Sequence, residues 1–176
     1  MKGLHSVIKL AGLSIFGLAA SIALQASTVS VSSSATAGAS IITPLSISNN
    51  GSASQGLEFG QIVAHGGGWV YITPAGVRTV YGVEVVPSSA SNAATFLVNG
   101  QANNTFSIVL PADGTVTLTS GSNTMPVISF ASNPSGSGTL DSTGNKSVSV
   151  GATLLVGANQ TAGNYTATFP VTVTYN

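Results

Sequence analysis

Apolar and polar residues alternate one by one along the last dozen positions of the chain. Tyr165, Ala167, Phe169, Val171, Val173 and Tyr175 take every second place, and Asn164, Thr166, Thr168, Thr172 and Thr174 fill most of the places between. A period of two with one apolar face predicts a half-buried β-strand over 164–175. Pro170 falls on the polar face and has no N–H to give a ladder, so pairing is expected to fail or bulge beside it. The same alternation runs near the other end. Val29, Val31, Ser33, Ala35, Ala37, Ala39 and Ile41 alternate with Ser30, Ser32, Ser34, Thr36, Gly38, Ser40 and Ile42, and no turn signal interrupts them before Thr43-Pro44. A strand of about 15 residues is more than twice the usual length. Either it bends across two sheets, or its first part finds no partner within its own domain.

Between these two stretches lie short β-rich segments separated by turn chemistry. The pattern predicts strands at 57–64, 69–73, 77–86, 95–98, 105–110, 115–119, 127–131, 146–150 and 153–156. The separators are Asn49-Asn50-Gly51, Gly66-Gly67-Gly68, Asn99-Gly100, Ala112-Asp113-Gly114 and Ser135-Gly136-Ser137-Gly138, in which Gly and Asn supply positive φ at little steric cost. No helical period is present and no break in composition divides the chain. The expectation is one all-β domain, an antiparallel β-sandwich. In its core Tyr165, Phe169, Val171 and Val173 should meet Phe106, Ile108 and Leu110.

The first 26 residues follow a different rule. Lys2 and Lys9, with His5, precede an apolar run from Leu10 to Ala20, and small residues follow. The run is shorter than the roughly 20 residues that cross a bilayer, so it reads as a secretory signal peptide. Cleavage is expected after Ala26, with Ala23 as the alternative. Removing it leaves an extended strand or arm at 27–42 and a sandwich at 43–176, with no further segment of membrane-spanning length. The chain is expected to be secreted through a periplasm to a bacterial cell surface or beyond.

Composition narrows the function. After the leader, Arg78 and Lys146 stand against Glu58, Glu84, Asp113 and Asp141, a net charge of −2. Two cations cannot neutralise a row of phosphates or form a polybasic lipid patch, so neither nucleic acid nor an anionic membrane is expected as a partner. The chain has no cysteine; at about 150 mature residues it can bury some two thirds of its unfolded surface, enough core without staples or metals. His65 is the one histidine beyond the leader. Beside a glycine run it reads as a solvated loop residue, not a catalytic base. The four carboxylates offer no metal ligand set, and Asp113 and Asp141 lie in turn contexts where Asp caps backbone. Gly66-Gly67-Gly68 lacks the Lys-Ser/Thr of a phosphate cradle. No enzyme, cofactor or metal is expected. Trp69 and Tyr71 are candidate ligand contacts able to stack on sugar, although packing in the core or an interface accounts for them as well.

Several segments resemble the bacterial family called domain of unknown function 4402. They are the Ala/Ser/Thr-rich start running into Ala39-Ser40-Ile41-Ile42-Thr43-Pro44-Leu45-Ser46-Ile47, then Leu57-Glu58-Phe59-Gly60, then Thr73-Pro74-Ala75-Gly76-Val77-Arg78. At the carboxyl end they are Gly157-Ala158-Asn159-Gln160, Ala162-Gly163-Asn164-Tyr165 and Val171-Thr172-Val173-Thr174-Tyr175-Asn176. The resemblance implies a secreted β-sandwich and no established activity. The Ala-Gly-x-Tyr ending is also similar to spore-coat-U-type pilins of the archaic chaperone–usher class, although this chain lacks a cysteine pair. That similarity implies an immunoglobulin-like sandwich completed by a strand from a neighbour, self-association into a homopolymer, and a periplasmic chaperone and an usher as assembly partners. The arm suits strand addition, which needs alternating side chains for successive pockets. Its donor residues would be Val29, Val31, Ala35, Ala37, Ala39 and Ile41, and the core strand at the carboxyl end would carry Tyr165, Phe169, Val171, Val173 and Tyr175. The leading expectation is a non-enzymatic subunit of an extracellular, pilus-like fibre or surface layer. The alternative is a monomeric secreted binding module for a glycan or surface ligand.

Overall fold

The computed structural model describes residues 30–49 and 56–176. The leader at 1–26, Val29 and the Asn50-Gly51 part of the first separator lie outside the described residues. Among the described residues the fold is all-β and antiparallel, with twelve strands and no helix. They are β1 (Ser46–Ser48), β2 (Ile62–Val63), β3 (Gly68–Ile72), β4 (Arg78–Tyr81), β5 (Glu84–Val85) and β6 (Ala94–Asn99). Then follow β7 (Thr105–Val109), β8 (Val116–Ser120), β9 (Asn123–Asn133), β10 (Ser137–Thr139), β11 (Asn145–Val156) and β12 (Thr172–Tyr175). The main sheet runs β1-β6-β11-β3-β4, with β9 on the other edge of β11 and β8 beyond β9; β10-β7-β12 and β2-β5 form two smaller sheets.

The strand β11 organises the sheet. Along one edge it pairs first with β6, Asn145 opposite Asn99 to Val150 opposite Ala94, and then with β3, Ala152 opposite Ile72 to Val156 opposite Gly68. Along the other edge it pairs with β9. The change of partner falls at Gly151, where a Cβ would strike the Ile72 carbonyl oxygen as the chain leaves β3. Sequence analysis split this strand in two at that glycine; the structure keeps it whole, because glycine here makes room for a neighbour instead of breaking the ladder. At the same level the β11–β9 register shifts. The extra residue on β9 is taken up around Ser129 at φ 53°, whose N–H donates to Asp113 Oδ1 at 2.6 Å. A bulge of this kind bends the strand and increases its twist.

Alternating side chains of β11 serve two cores. Val148 and Val150 join Ala94, Val98, Phe106, Ile108 and Leu140, with Leu110, Val171, Val173 and Tyr175 packed against them. Ala152, Leu154 and Val156 join Val70, Ile72, Val116, Met125 and Val127, with Tyr165 and Phe169 alongside. Phe169 also packs on the first cluster and so lies at the seam. The layer β10-β7-β12 covers the first core, giving a β-sandwich.

Several predicted strands are shorter than their patterns. Over 57–64 only Ile62–Val63 is a strand, because the Phe59 carbonyl is taken by the Arg78 guanidinium at 3.3 Å and not by a ladder. The segment 77–86 divides into β4 and β5 around Gly82-Val83. Over 164–175 a strand exists only at Thr172–Tyr175, facing β7. The separator at 135–138 contains most of β10, and β1 was not foreseen.

The exposed loop after Leu140 is held by one carboxylate. Asp141 Oδ1 accepts from the Thr143 hydroxyl at 2.7 Å and from the N–H groups of Thr143 and Asn145 at 2.8 and 3.0 Å. The Thr143 hydroxyl, then these N–H groups, hold the carboxyl below its ordinary value. A lowered folded value means a stabilising contribution present above the unfolded value near 3.9 and lost as pH falls through the folded one. Asp141→Asn should therefore flatten the fall of stability with acid below about pH 4, read from urea melts at successive pH values. Phe106 is fully buried, and Phe106→Ala should cost about 3–5 kcal/mol in the same melts.

Candidate functional site

The described residues before Leu45 are uncovered. Residues 30–44 are all exposed and belong to no strand. Val31 is 93% exposed and Ile41 98%; Ala35, Ala37 and Ala39 are exposed as well. An exposed apolar residue at every second position is a side-chain pattern of period two, the period of a β-strand. No charged residue occurs between Ser27 and Ile41.

The base of this segment is fastened. Tyr175 Oη donates to the Thr43 carbonyl at 2.8 Å and accepts from the Gln101 N–H at 2.6 Å. Gln101 Oε1 in turn accepts from the Thr43 N–H at 3.2 Å. From there β1 enters the sheet opposite β6, Ser46 facing Asn99. The last aromatic residue of the chain therefore fixes the point at which the uncovered segment ends.

The stretch 165–171 is weakly paired. Tyr165 and Phe169 are half-buried and Thr166 and Thr168 exposed, but Ala167, on the apolar parity, is exposed as well. Yet the only pairing in this stretch is a bridge between Thr166 and Thr119, and residues 167–171 carry none. Pro170 gives part of the reason, since it cannot donate. The segment is held by side chains instead: the Phe169 ring meets Phe130 at 5.2 Å and Phe96 edge-on at 6.2 Å. Upstream, Tyr165 Oη donates to the Thr161 carbonyl at 2.7 Å and accepts from Gln160 Nε2 at 2.9 Å. Pinning a tyrosine hydroxyl to backbone a few residues back is a familiar corner device of sandwiches.

Opposite runs Gly56–Ala64, whose outer side is bonded away from Tyr165–Phe169: Glu58 bridges Asn92, and Val86 N–H donates to the Gln61 carbonyl at 3.0 Å. Between these two walls lies a cleft of about 1070 Å³ whose floor is core: Phe96, Leu118, Met125, Val127, Phe130 and Leu154. Glu58 is the one charged residue on it, and its side chain is exposed. The cleft therefore has an apolar floor between two walls that carry little ladder pairing, and Gln61, Gln160, Thr161 and Asn164 are among the polar residues lining it.

Of the residues singled out in the sequence, Tyr165 and Phe169 line the cleft, whereas Val171, Val173 and Tyr175 pack in the first core. The arm residues Val31, Ala35, Ala37, Ala39 and Ile41 lie uncovered, and Val29 is not described. Trp69 and Tyr71 stand elsewhere, half-buried on the side of β3 opposite Val70 and Ile72. His65 is exposed, and its carbonyl accepts from the Asn159 N–H. Gly68 opens β3 where a Cβ would strike the Tyr81 carbonyl, so part of the glycine run serves close backbone approach. Among the described residues no group of three or more His, Asp or Glu side chains is placed to hold a metal. No helix among them is long and apolar enough to cross a membrane. Sequence reasoning missed the cleft floor, since Phe96, Leu118 and Phe130 carry ordinary strand patterns and only their convergence marks them.

Replacing Tyr175 by Phe keeps the ring and removes the hydroxyl. The change leaves the Gln101 N–H and the exposed Thr43 carbonyl without this partner, and should cost about 0.5–1.5 kcal/mol in urea melts.

A family model described as Domain of unknown function (DUF4402) matches residues 45–175, most of the chain. No curated protein and no solved structure matches it.

Proposed function

The chain belongs to the DUF4402 family, and from that footing we propose that it is an exported, non-enzymatic structural subunit that polymerises by β-strand addition. The arm of one copy, residues 27–41, enters the cleft of the next and lies beside Tyr165–Phe169. The product is a fibre or layer at the cell surface. A sandwich open to a neighbour's strand is the immunoglobulin-like arrangement that this reading carries with it. The observation that carries the reading is the cleft itself, floored by core residues beside a segment that pairs only through the Thr166–Thr119 bridge.

Three further features support it. The arm alternates with the same period, so its odd-numbered apolar residues fit successive positions along a slot. The arm and the floor residues are uncharged, and Glu58 at the cleft is exposed to solvent, so entry strips little charge of its water. Burying a Val or Ile side chain contributes roughly 1.5–3 kcal/mol, and the arm offers three of them, Val29, Val31 and Ile41. Such a contact is heterologous, with an arm at one end and a cleft at the other, and therefore propagates instead of closing into a dimer. Before assembly an open apolar slot is an aggregation hazard, which gives a periplasmic chaperone and an usher a physical task.

Val29→Asp together with Val31→Asp places carboxylates in the slot at a cost of several kcal/mol. Polymer should disappear from size-exclusion profiles and negative-stain fields. The urea midpoint of the subunit should move little, because exposed Val31 contributes nothing to its own core. Ser30→Asp with Ser32→Asp should be mild by comparison. Wild-type protein that stays monomeric at high concentration, alone and with its genomic neighbours co-expressed, sinks the proposal.

A further inference from the structure

The main sheet has a second face that strand addition does not use. Even-numbered residues of β11 point into the cores, so Thr153 and Leu155 point the other way. Beside them in register stand Tyr71 and Trp69 on β3, then Thr79 and Tyr81 on β4. On the far side Ile128 of β9 faces Thr153. Together they frame a shallow furrow of about 510 Å³ lined by Trp69, Tyr71, Ile128, Ser129, Thr153 and Leu155, with Ala131 at its margin. That volume falls within the roughly 300–1,000 Å³ usual for small-molecule sites.

We infer that this furrow is a binding platform for neutral carbohydrate. Its rings do not serve the core. Tyr81 is 69% exposed and stacks on Trp69 with centroids 5.9 Å apart and planes 21° from parallel, a shelf held flat at its outer edge. An aromatic face carries negative potential and an edge positive, so the C–H-lined face of a pyranose, weakly positive, lies well on such a ring. Hydroxyls both donate and accept, and Thr79, Thr153 and Ser129 place three of them around the rings. No charged side chain occurs among the furrow residues, Thr79 or Tyr81, which leaves phosphates, nucleic acid and acidic polymers without a counter-charge. A peptide cannot add as a strand over the floor, because β3 is already paired with β4 and β11, and β11 with β3 and β9. One rim is preset: Ser129 sits on the bulge of β9, its N–H fixed by Asp113. Bulges re-aim side chains beside functional sites, and a rim ordered in advance lowers the entropy lost on binding. The inference holds whether or not the chain polymerises.

Trp69 is the only tryptophan of the chain, so its fluorescence reports on the furrow directly. Purified protein is titrated with neutral hexasaccharides (cellohexaose, maltohexaose, mannohexaose, xylohexaose and chitohexaose) and with oligogalacturonate as the charged control. A saturable change in Trp69 emission is expected with at least one neutral probe, and a weaker one or none with the uronate. Tyr81→Ala, at an exposed position, should weaken the response roughly tenfold and leave the urea midpoint in place. The inference is overturned if no neutral probe gives a saturable change, or if Tyr81→Ala binds as well as wild type. A Trp69 emission shift that follows protein concentration without sugar also overturns it, since a second copy then covers the face.

Discussion

Everything in this fold hangs on the pairing of β11. Over twelve residues it holds β6 and then β3 on one edge and β9 on the other. Its buried row, Val148, Val150, Ala152, Leu154 and Val156, is common ground for both cores. The close approach of the Ile72 carbonyl to Gly151 lets the partner change without interrupting the strand. Any Cβ there has to displace backbone, and both cores would feel the shift because they share one spine. The same spine separates the two candidate sites. Leu154 lies on the cleft floor and its neighbours Thr153 and Leu155 in the furrow, so the sites stand back to back across one layer.

A chain with so few charges organises itself by neutral hydrogen bonds, and Arg78, Asp113 and Asp141 turn their charges on backbone. Arg78 donates to the carbonyls of Phe59 and Val86 and to the Ser89 hydroxyl. Asp113 fixes the bulge and Asp141 a loop. Among the described residues no buried side-chain nitrogen or oxygen lacks a hydrogen-bond partner. Arg78 ties the segment Thr73-to-Arg78 to Leu57-to-Gly60, its guanidinium clasping the Phe59 carbonyl.

The all-β class was legible because alternation and turn residues are local signals. Phe106, Ile108, Tyr165, Phe169, Val171, Val173 and Tyr175 could be read for the same reason, whereas Ala167 on the same parity is exposed. What could not be read was pairing. Thr166 to Val171 alternate like a strand apart from Pro170, yet whether a neighbour is present depends on segments more than a hundred residues earlier. The three-residue strands β1 and β10 are too short and too rich in Ser and Gly to show a period. Gly151 imitates a break because glycine that spares a turn and glycine that admits a neighbour look alike in one dimension. Trp69 was visible as an aromatic residue, but its partner Tyr81 belongs to the opposite strand of a hairpin, and no spacing rule connects them. The cleft is the extreme case, drawing on β6, β8, β9 and β11 and on two stretches that the sequence presented as complete strands.

The fastening of Thr43 by Tyr175 and Gln101 has a mechanical side. In a row of subunits joined arm to cleft as proposed, tension on the fibre enters each subunit at Thr43. It meets there a hydroxyl anchored on β12 and, three residues on, the antiparallel ladder of β1 on β6. A pull directed along β1 loads the pairs Ser46–Asn99, Ile47–Val98 and Ser48–Leu97 in shear, all at once, instead of peeling them in turn. Short as it is, β1 acts as a strain relief, passing load from a pliant tether to the central spine of the sheet.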